Sequence, residues 1–231
     1  MKKSIFIIGL LLLLVSCNPQ VDSCQSQTSD STSGIKQNET FQFSEECVPD
    51  TANDISIESA GEVPHEASIF EADVTLTGFD ANDEVKLKKA ISIIKSVIAS
   101  QDFKDRVINF TYGGKQVYVD NGGLSNAEIY QKLLDGSEDL RPGIDHQMDL
   151  DLELYYSSRS TVGYTYPSGL RIWMNTKFFD AYSPSEVAGN VFHEWTHKLG
   201  FEHTSSYSVS RDSSVPYALG YLIKELGKKF E

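Results

Sequence analysis

His193-Glu194-Trp195-Thr196-His197-Lys198-Leu199-Gly200-Phe201-Glu202-His203 is the stretch that decides how this chain is read. Five of its positions follow the spacing H-E-x-x-H-x-x-G-x-x-H, which arises by chance in a chain of this size roughly once in 10⁵ at average residue usage. On a helix, residues four apart share one face. His193 and His197 can therefore offer a ring nitrogen each to one metal ion. Glu194 adjoins the first of them and is placed to hold an attacking water rather than the ion. Gly200 tolerates positive φ, so it can end the helix and turn the chain sharply. His203 then returns as a third ligand. Three protein ligands with one open position characterise a catalytic zinc site, whereas structural sites are closed by four.

The motif resembles that of the metzincin clan of zinc endopeptidases. The resemblance covers about residues 67–231, and only the eleven motif residues are specific. It implies one Zn²⁺ bound by His193, His197 and His203, with Glu194 as general base and acid. It also implies an α+β fold: a twisted mixed sheet, a long N-terminal helix, a zinc-binding active-site helix and a C-terminal helix. The chain departs from the family in one respect. A methionine-containing turn follows the third histidine in metzincins, but Met1, Met148 and Met174 all precede the motif here. Ser214-Val215-Pro216-Tyr217 is the candidate replacement, with Pro216 making the turn and Tyr217 supplying a phenol to the metal or the oxyanion. The alternative is that Tyr217 is a core aromatic opening the last helix. Val215 and Pro216 are also candidates for the wall of the pocket that receives the side chain after the scissile bond.

The segment preceding the motif carries the substrate reading. In metzincins the strand bordering the cleft binds extended substrate along the sheet edge. Thr161 to Tyr166 is the candidate, with Gly163, Tyr164 and Thr165 as its contact residues, and Gly163 admitting close backbone approach. An ordinary hairpin arm is the alternative. Asp149, Asp151 and Glu153 alternate onto one strand face. Calcium cages come from turning loops instead, so Ca²⁺ is the weaker reading and a solvated face the better one.

The elements around these sites follow from periodicity. Asn82–Ser100 reads as an amphipathic helix with Val85, Leu87, Ile91, Ile94 and Ile98 as its apolar stripe and Asp80 or Asn82 as its cap. Arg106–Tyr112 and Gln116–Val119 read as strands about a Gly113-Gly114 turn. Ser125 caps a helix to Leu134. Leu150–Tyr156, Val162–Tyr166 and Leu170–Met174 read as strands. Ser183-Pro184-Ser185-Glu186 starts the motif helix, and a last helix spans about Tyr217–Lys229.

The N-terminus reads as a targeting segment. Lys2 and Lys3 precede an apolar run, Ile5 to Val15, that is short for a membrane span. Leu14-Val15-Ser16-Cys17 resembles a bacterial lipobox. That implies a signal peptide over 1–16, cleavage before Cys17 and lipidation of Cys17, with acyl chains sufficient for stable attachment. Asn18 after the cysteine favours the outer membrane of a bacterial envelope. Residues 17–66 read as a lipidated, acidic tether or propeptide: residues 18–66 hold ten acidic residues against Lys36 alone, and such composition buries little apolar surface. A flexible segment of that length reaches about 40 Å. Residues 67–231 form the expected metallopeptidase domain.

Cys24 and Cys47 remain after lipidation and are candidates for a disulfide in an oxidising envelope. Glu45-Glu46-Cys47-Val48-Pro49-Asp50 also resembles the cysteine switch of matrix metalloproteinase propeptides, although the flanking Arg and Gly are absent; this makes latency a second reading of Cys47.

The formal charge is −13, and loss of Lys2 and Lys3 makes it more negative. No basic patch attracts phosphates, so nucleic acid is not an expected partner. The expected partners are a protein or peptide substrate and, through Cys17, a membrane. Nothing signals an oligomer, so a monomer is expected. The sequence thus reads as a zinc-dependent endopeptidase acting on extracytoplasmic proteins. The alternatives are a zinc hydrolase of peptidoglycan peptides or another non-protein amide, and a non-catalytic, zinc-stabilised surface lipoprotein.

Overall fold

A computed structural model describes residues 40–42 and 70–231. Four strands of the C-terminal part form a mixed sheet: β2 (Glu71–Thr77), β3 (Gln147–Tyr155), β4 (Gly163–Thr165) and β5 (Arg171–Asn175). Thr40–Gln42 (β1) adds a short antiparallel strand along β2, giving the order β1-β2-β3-β5-β4. Strands β2, β3 and β5 are mutually parallel. β4 runs antiparallel to β5, with Gly163 opposite Met174 and Thr165 opposite Ile172, and ends the sheet on that side.

Seven α-helices and a C-terminal 3₁₀ turn (Lys228–Phe230) complete the fold among the described residues: α1 (Ala81–Ile98), α2 (Gln101–Ile108), α3 (Asn126–Asp135), α4 (Thr176–Phe179), α5 (Pro184–Lys198), α6 (Val209–Asp212) and α7 (Val215–Gly227). Their starts are written locally. Asp80, Ser125 and Ser183 each cap a helix by accepting the backbone N–H three residues on, and Asp83, Glu128 and Glu186 reach back to complete capping boxes. Pro184 sits in the first turn of α5, where its missing N–H costs nothing.

The alternation of the strands sorts their residues by face. Val74, Leu152, Ile172 and Met174 are buried under the helices. Asp151, Glu153, Arg171 and Trp173 lie on the opposite, half-exposed face. Helix α5 lies against β3 and β4 on one side and against α1 and α7 on the other. The motif helix is thus the central element of the helical layer, and Phe192 and Trp195 on it are completely buried.

Several sequence expectations are corrected. Arg106 to Ile108 belong to a helix, α2, and not to a strand. Ser100 caps it by accepting from Phe103 N, and Phe103 and Val107, four apart, are both fully buried; helical period and cap together outweigh the β-rich ending. Gln116–Val119 forms no strand. The Gly113-Gly114 turn does form, closed by the Tyr112–Lys115 bridge. Val85 is 67% exposed, because it lies about 200° around the helix from Leu87. Strand β2 was legible as the alternation Ala72, Val74, Leu76 but was not read. Cys17, Cys24 and Cys47, with the signal-peptide and most of the tether assignments, lie outside the described residues. No helix of the described residues is long and apolar enough to cross a membrane.

Candidate metal centre

His193 and His197 share one face of α5, with ring centroids 5.2 Å apart. The helix then ends in a Schellman motif. Gly200 N–H donates to His197 O and Phe201 N–H to Thr196 O, at 3.1 and 3.2 Å, and Gly200 has φ +84°. A side chain at Gly200 would be strained by that φ and would also push the Asp139 carboxylate aside, since a Cβ there would lie 2.4 Å from Asp139 Oδ2. The turn swings His203 back until its ring lies 5.1 Å from His193 and 4.9 Å from His197. One potential ligand atom of each histidine lies within 4.8 Å of the others. Among the described residues this is the group able to hold a metal ion.

The donor set fits a zinc-type ion. His197 Nδ1 is 2.6 Å from Phe201 O and His203 Nδ1 is 3.0 Å from Thr204 O. The backbone of Pro216 lies beside the His193 ring. With Nδ1 donating to a carbonyl, Nε2 of His197 and of His203 keeps its lone pair for a metal, the usual outer-shell arrangement. Burial holds all three imidazoles neutral, helped at His193 and His197 by the neighbouring histidines: His193 falls well below its ordinary value, His197 to about 4, and His203 is lowered. Neutral imidazole is the form that ligates.

Glu194, the next residue along α5, lies about 100° around the helix from His193 and is 5% exposed. Burial pushes its carboxyl up to about 8, with the Lys198 charge working in the opposite direction. β4 passes directly over it: a Cβ on Gly163 would sit 3.1 Å from Asn190 Oδ1 and 3.2 Å from Glu194 Oε1. Glycine at 163 thus lets the edge strand run close to the carboxylate, where a Cβ would crowd Asn190 and Glu194. Tyr164 turns to the outer face and stacks on Trp173 at 5.1 Å. Thr165 donates to Arg171 O at 2.7 Å.

Tyr217 arrives from α7. Its ring lies 4.5 Å from that of His193 and 4.6 Å from that of His203, and the Arg211 guanidinium covers it at 4.3 Å. The reason is a helix crossing that sequence reasoning missed. A Cβ on Gly189 would meet Gly220 O at 2.7 Å, and one on Gly220 would meet Gly189 O at 2.9 Å. Two glycines let α5 and α7 touch backbone to backbone. His193 is one turn after Gly189 and Tyr217 one turn before Gly220, so the contact brings the two rings together. Val215 is completely buried and joins the core, not an open wall. Pro216 is buried too, and its contribution to the site is the backbone contact to His193.

Two other residues brace the helix. Glu138 accepts from Trp195 Nε1 at 2.6 Å and is itself 1% exposed, its carboxyl raised by burial to about 6. Lys198 donates to three carbonyls of the β4–β5 turn. The acidic face offered for calcium is occupied by guanidinium groups instead. Asp151 and Glu153 share Arg171, and Asp149 pairs with Arg141 at 2.7 Å.

Compared with known proteins, the chain matches no family model and no curated protein.

Proposed function

We propose that this protein is a zinc-dependent endopeptidase of metzincin type, lipid-anchored through Cys17 and acting on extracytoplasmic proteins. The observation that carries the reading is the combination of three histidines whose ring nitrogens lie within 4.8 Å of one another with a buried carboxylate, Glu194, beside a sheet edge that is unpaired among the described residues. A purely structural metal site needs neither the carboxylate nor the edge.

His193, His197 and His203 would hold the ion. A zinc ion there supplies a Lewis acid for the substrate carbonyl and lowers the pKa of a water toward ~7. The remaining steps belong to the chain. β4 lies along Glu194 and leaves its outer edge unpaired among the described residues, so an extended peptide can add to it as a further strand. Gly163 keeps that peptide close to the carboxylate. Glu194 accepts the proton of the attacking water and returns it to the leaving amine. Its raised pKa favours holding a proton at neutral pH, while a cation at the histidines pulls it toward the ionised form a base requires. The Tyr217 phenol, braced by Arg211, stands beside His193 and His203 and can donate to the oxyanion.

The test uses the full-length zinc-loaded chain and its Glu194→Ala variant on a library of peptides from a proteome digest. Cleavage by the first and not by the second is expected. Equal cleavage by both, or none by a folded, zinc-loaded wild type, rejects the endopeptidase reading.

A further inference from the structure

β4 is three residues long and forms the end of the sheet. A strand so short, paired on one side only, has few hydrogen bonds of its own. Two buried polar side chains compensate, one at each end. At the entry, Asn175 is completely buried. Its amide donates to Ser157 O and Thr161 O, both at 3.0 Å, and its oxygen accepts from Ser157 N at 3.2 Å. At the exit, Lys198 is 4% exposed. Its ammonium donates to Tyr166 O at 3.2 Å, Gly169 O at 2.6 Å and Arg171 O at 3.1 Å. An ammonium has three protons, and the turn between β4 and β5 accepts all three.

The position of Lys198 on α5 gives this arrangement its meaning. Asn190, Glu194 and Lys198 follow one another at intervals of four, so they form a single stripe along the helix. Asn190 and Glu194 abut Gly163 at the start of β4, and Lys198 holds the turn just after its end. One face of one helix therefore sets both the closeness and the slant of the edge strand relative to the carboxylate.

We propose that Lys198 is a substrate-positioning residue: its ammonium ties the β4–β5 turn to α5 and so fixes the docking edge at the distance from Glu194 that an extended peptide requires. This rests on the endopeptidase reading. The Lys198 ammonium is taken up by three backbone carbonyls. It acts through β4, so its loss should weaken the holding of long substrates more than the turnover of bound ones.

The experiment compares the full-length zinc-loaded protein with Lys198→Met, which keeps the apolar stem and removes the donors, and with Lys198→Gln, which keeps one amide donor group. Two peptides share one scissile bond. One has about ten residues and can pair along β4; the other has about three and cannot. In Lys198→Met, KM for the long peptide should rise about tenfold more than KM for the short one, while any change in kcat from losing the charge near Glu194 is the same for both peptides. Hydrogen exchange should quicken at amides 163–171 and stay unchanged in α1 and α7. Equal changes in KM on both peptides would limit Lys198 to its charge effect on Glu194 and overturn the proposal. So would unchanged exchange at 163–171, or global exchange in both variants, which would make Lys198 a residue of folding alone. A wild type that cleaves neither peptide ends the endopeptidase reading, and the exchange measurement then decides the tether by itself.

Discussion

His193 and Tyr217 stand 4.5 Å apart, yet they reach that place by different means. His193, His197 and His203 are delivered within eleven residues by one helix and its terminal turn. Tyr217 and Gly163 are brought in across long stretches of chain, by a crossing of two helices and by the edge of a sheet. The difference teaches where the two halves of the site are vulnerable. The local half depends on side-chain chemistry and on Gly200. The assembled half depends on how closely backbones approach, at Gly189–Gly220 and at Gly163.

That contrast fixes what different substitutions should do. The largest effect falls on the local half. Replacing His197 with Ala leaves two ligands and should remove the metal, which elemental analysis of the dialysed protein reads directly; retention of a full equivalent would break the assignment of the triad. Glu194→Gln comes next. Peptidase turnover should fall by roughly 10⁴-fold or more with zinc content unchanged, separating the base from the ligands.

The assembled half should lose rate without losing metal. Tyr217→Phe removes the phenol proposed to donate to the oxyanion and should lower kcat by about 10²-fold. Gly220→Ala forces a Cβ to within 2.9 Å of Gly189 O and 3.1 Å of His193 Cβ. The helices must part, and a displacement of about 1 Å costs on the order of 10²-fold. If the crossing acts through Tyr217, the double variant Gly220→Ala/Tyr217→Phe should be little worse than either single one. Full additivity would show that the glycines serve some other part of the fold.

The smallest effect is on the stability of the metal-free protein as pH changes. The three histidines have lowered pKa values, so the folded form binds fewer protons than the unfolded chain. Their contribution rises with pH up to about 6.5, the free-histidine value. Glu194 is raised to about 8, so the folded form binds the extra proton and stability falls as pH climbs from the ordinary glutamate range to about 8. Glu138, raised to about 6, adds to that fall only at its lower end. Three histidines against two glutamates predict a rise in melting temperature up to about pH 6.5, then a decline toward pH 8 due to Glu194. Glu194→Gln should abolish the decline; a decline that persists would place its origin elsewhere.

How much could be read in advance follows the same division. The capped starts at Asp80, Ser125 and Ser183 were legible because a cap involves residues three apart. The Gly200 turn was legible because a Schellman motif needs one αL residue at one position. The strand assigned to Arg106–Tyr112 failed because Phe103 and Val107 had helical spacing that only burial in the core made decisive. The Gly189–Gly220 contact left only two unremarkable glycines in the sequence, thirty-one positions apart. Nothing local says that they meet.

The sequence by itself therefore determined the histidine triad that could hold a metal ion, the carboxylate next to it in the chain, the turn that returns His203 and the helix that carries them, because each depends on spacings shorter than a dozen residues. Only the tertiary structure decided that β4 should be the strand over Glu194, that Lys198 should hold the turn behind it, and that the Pro216 backbone and the Tyr217 ring should close on His193. Those contacts join residues far apart along the chain. They exist because burying the apolar faces of α1, α5, α7 and the sheet against one another leaves one close arrangement, and glycine stands where that arrangement leaves no room for a side chain.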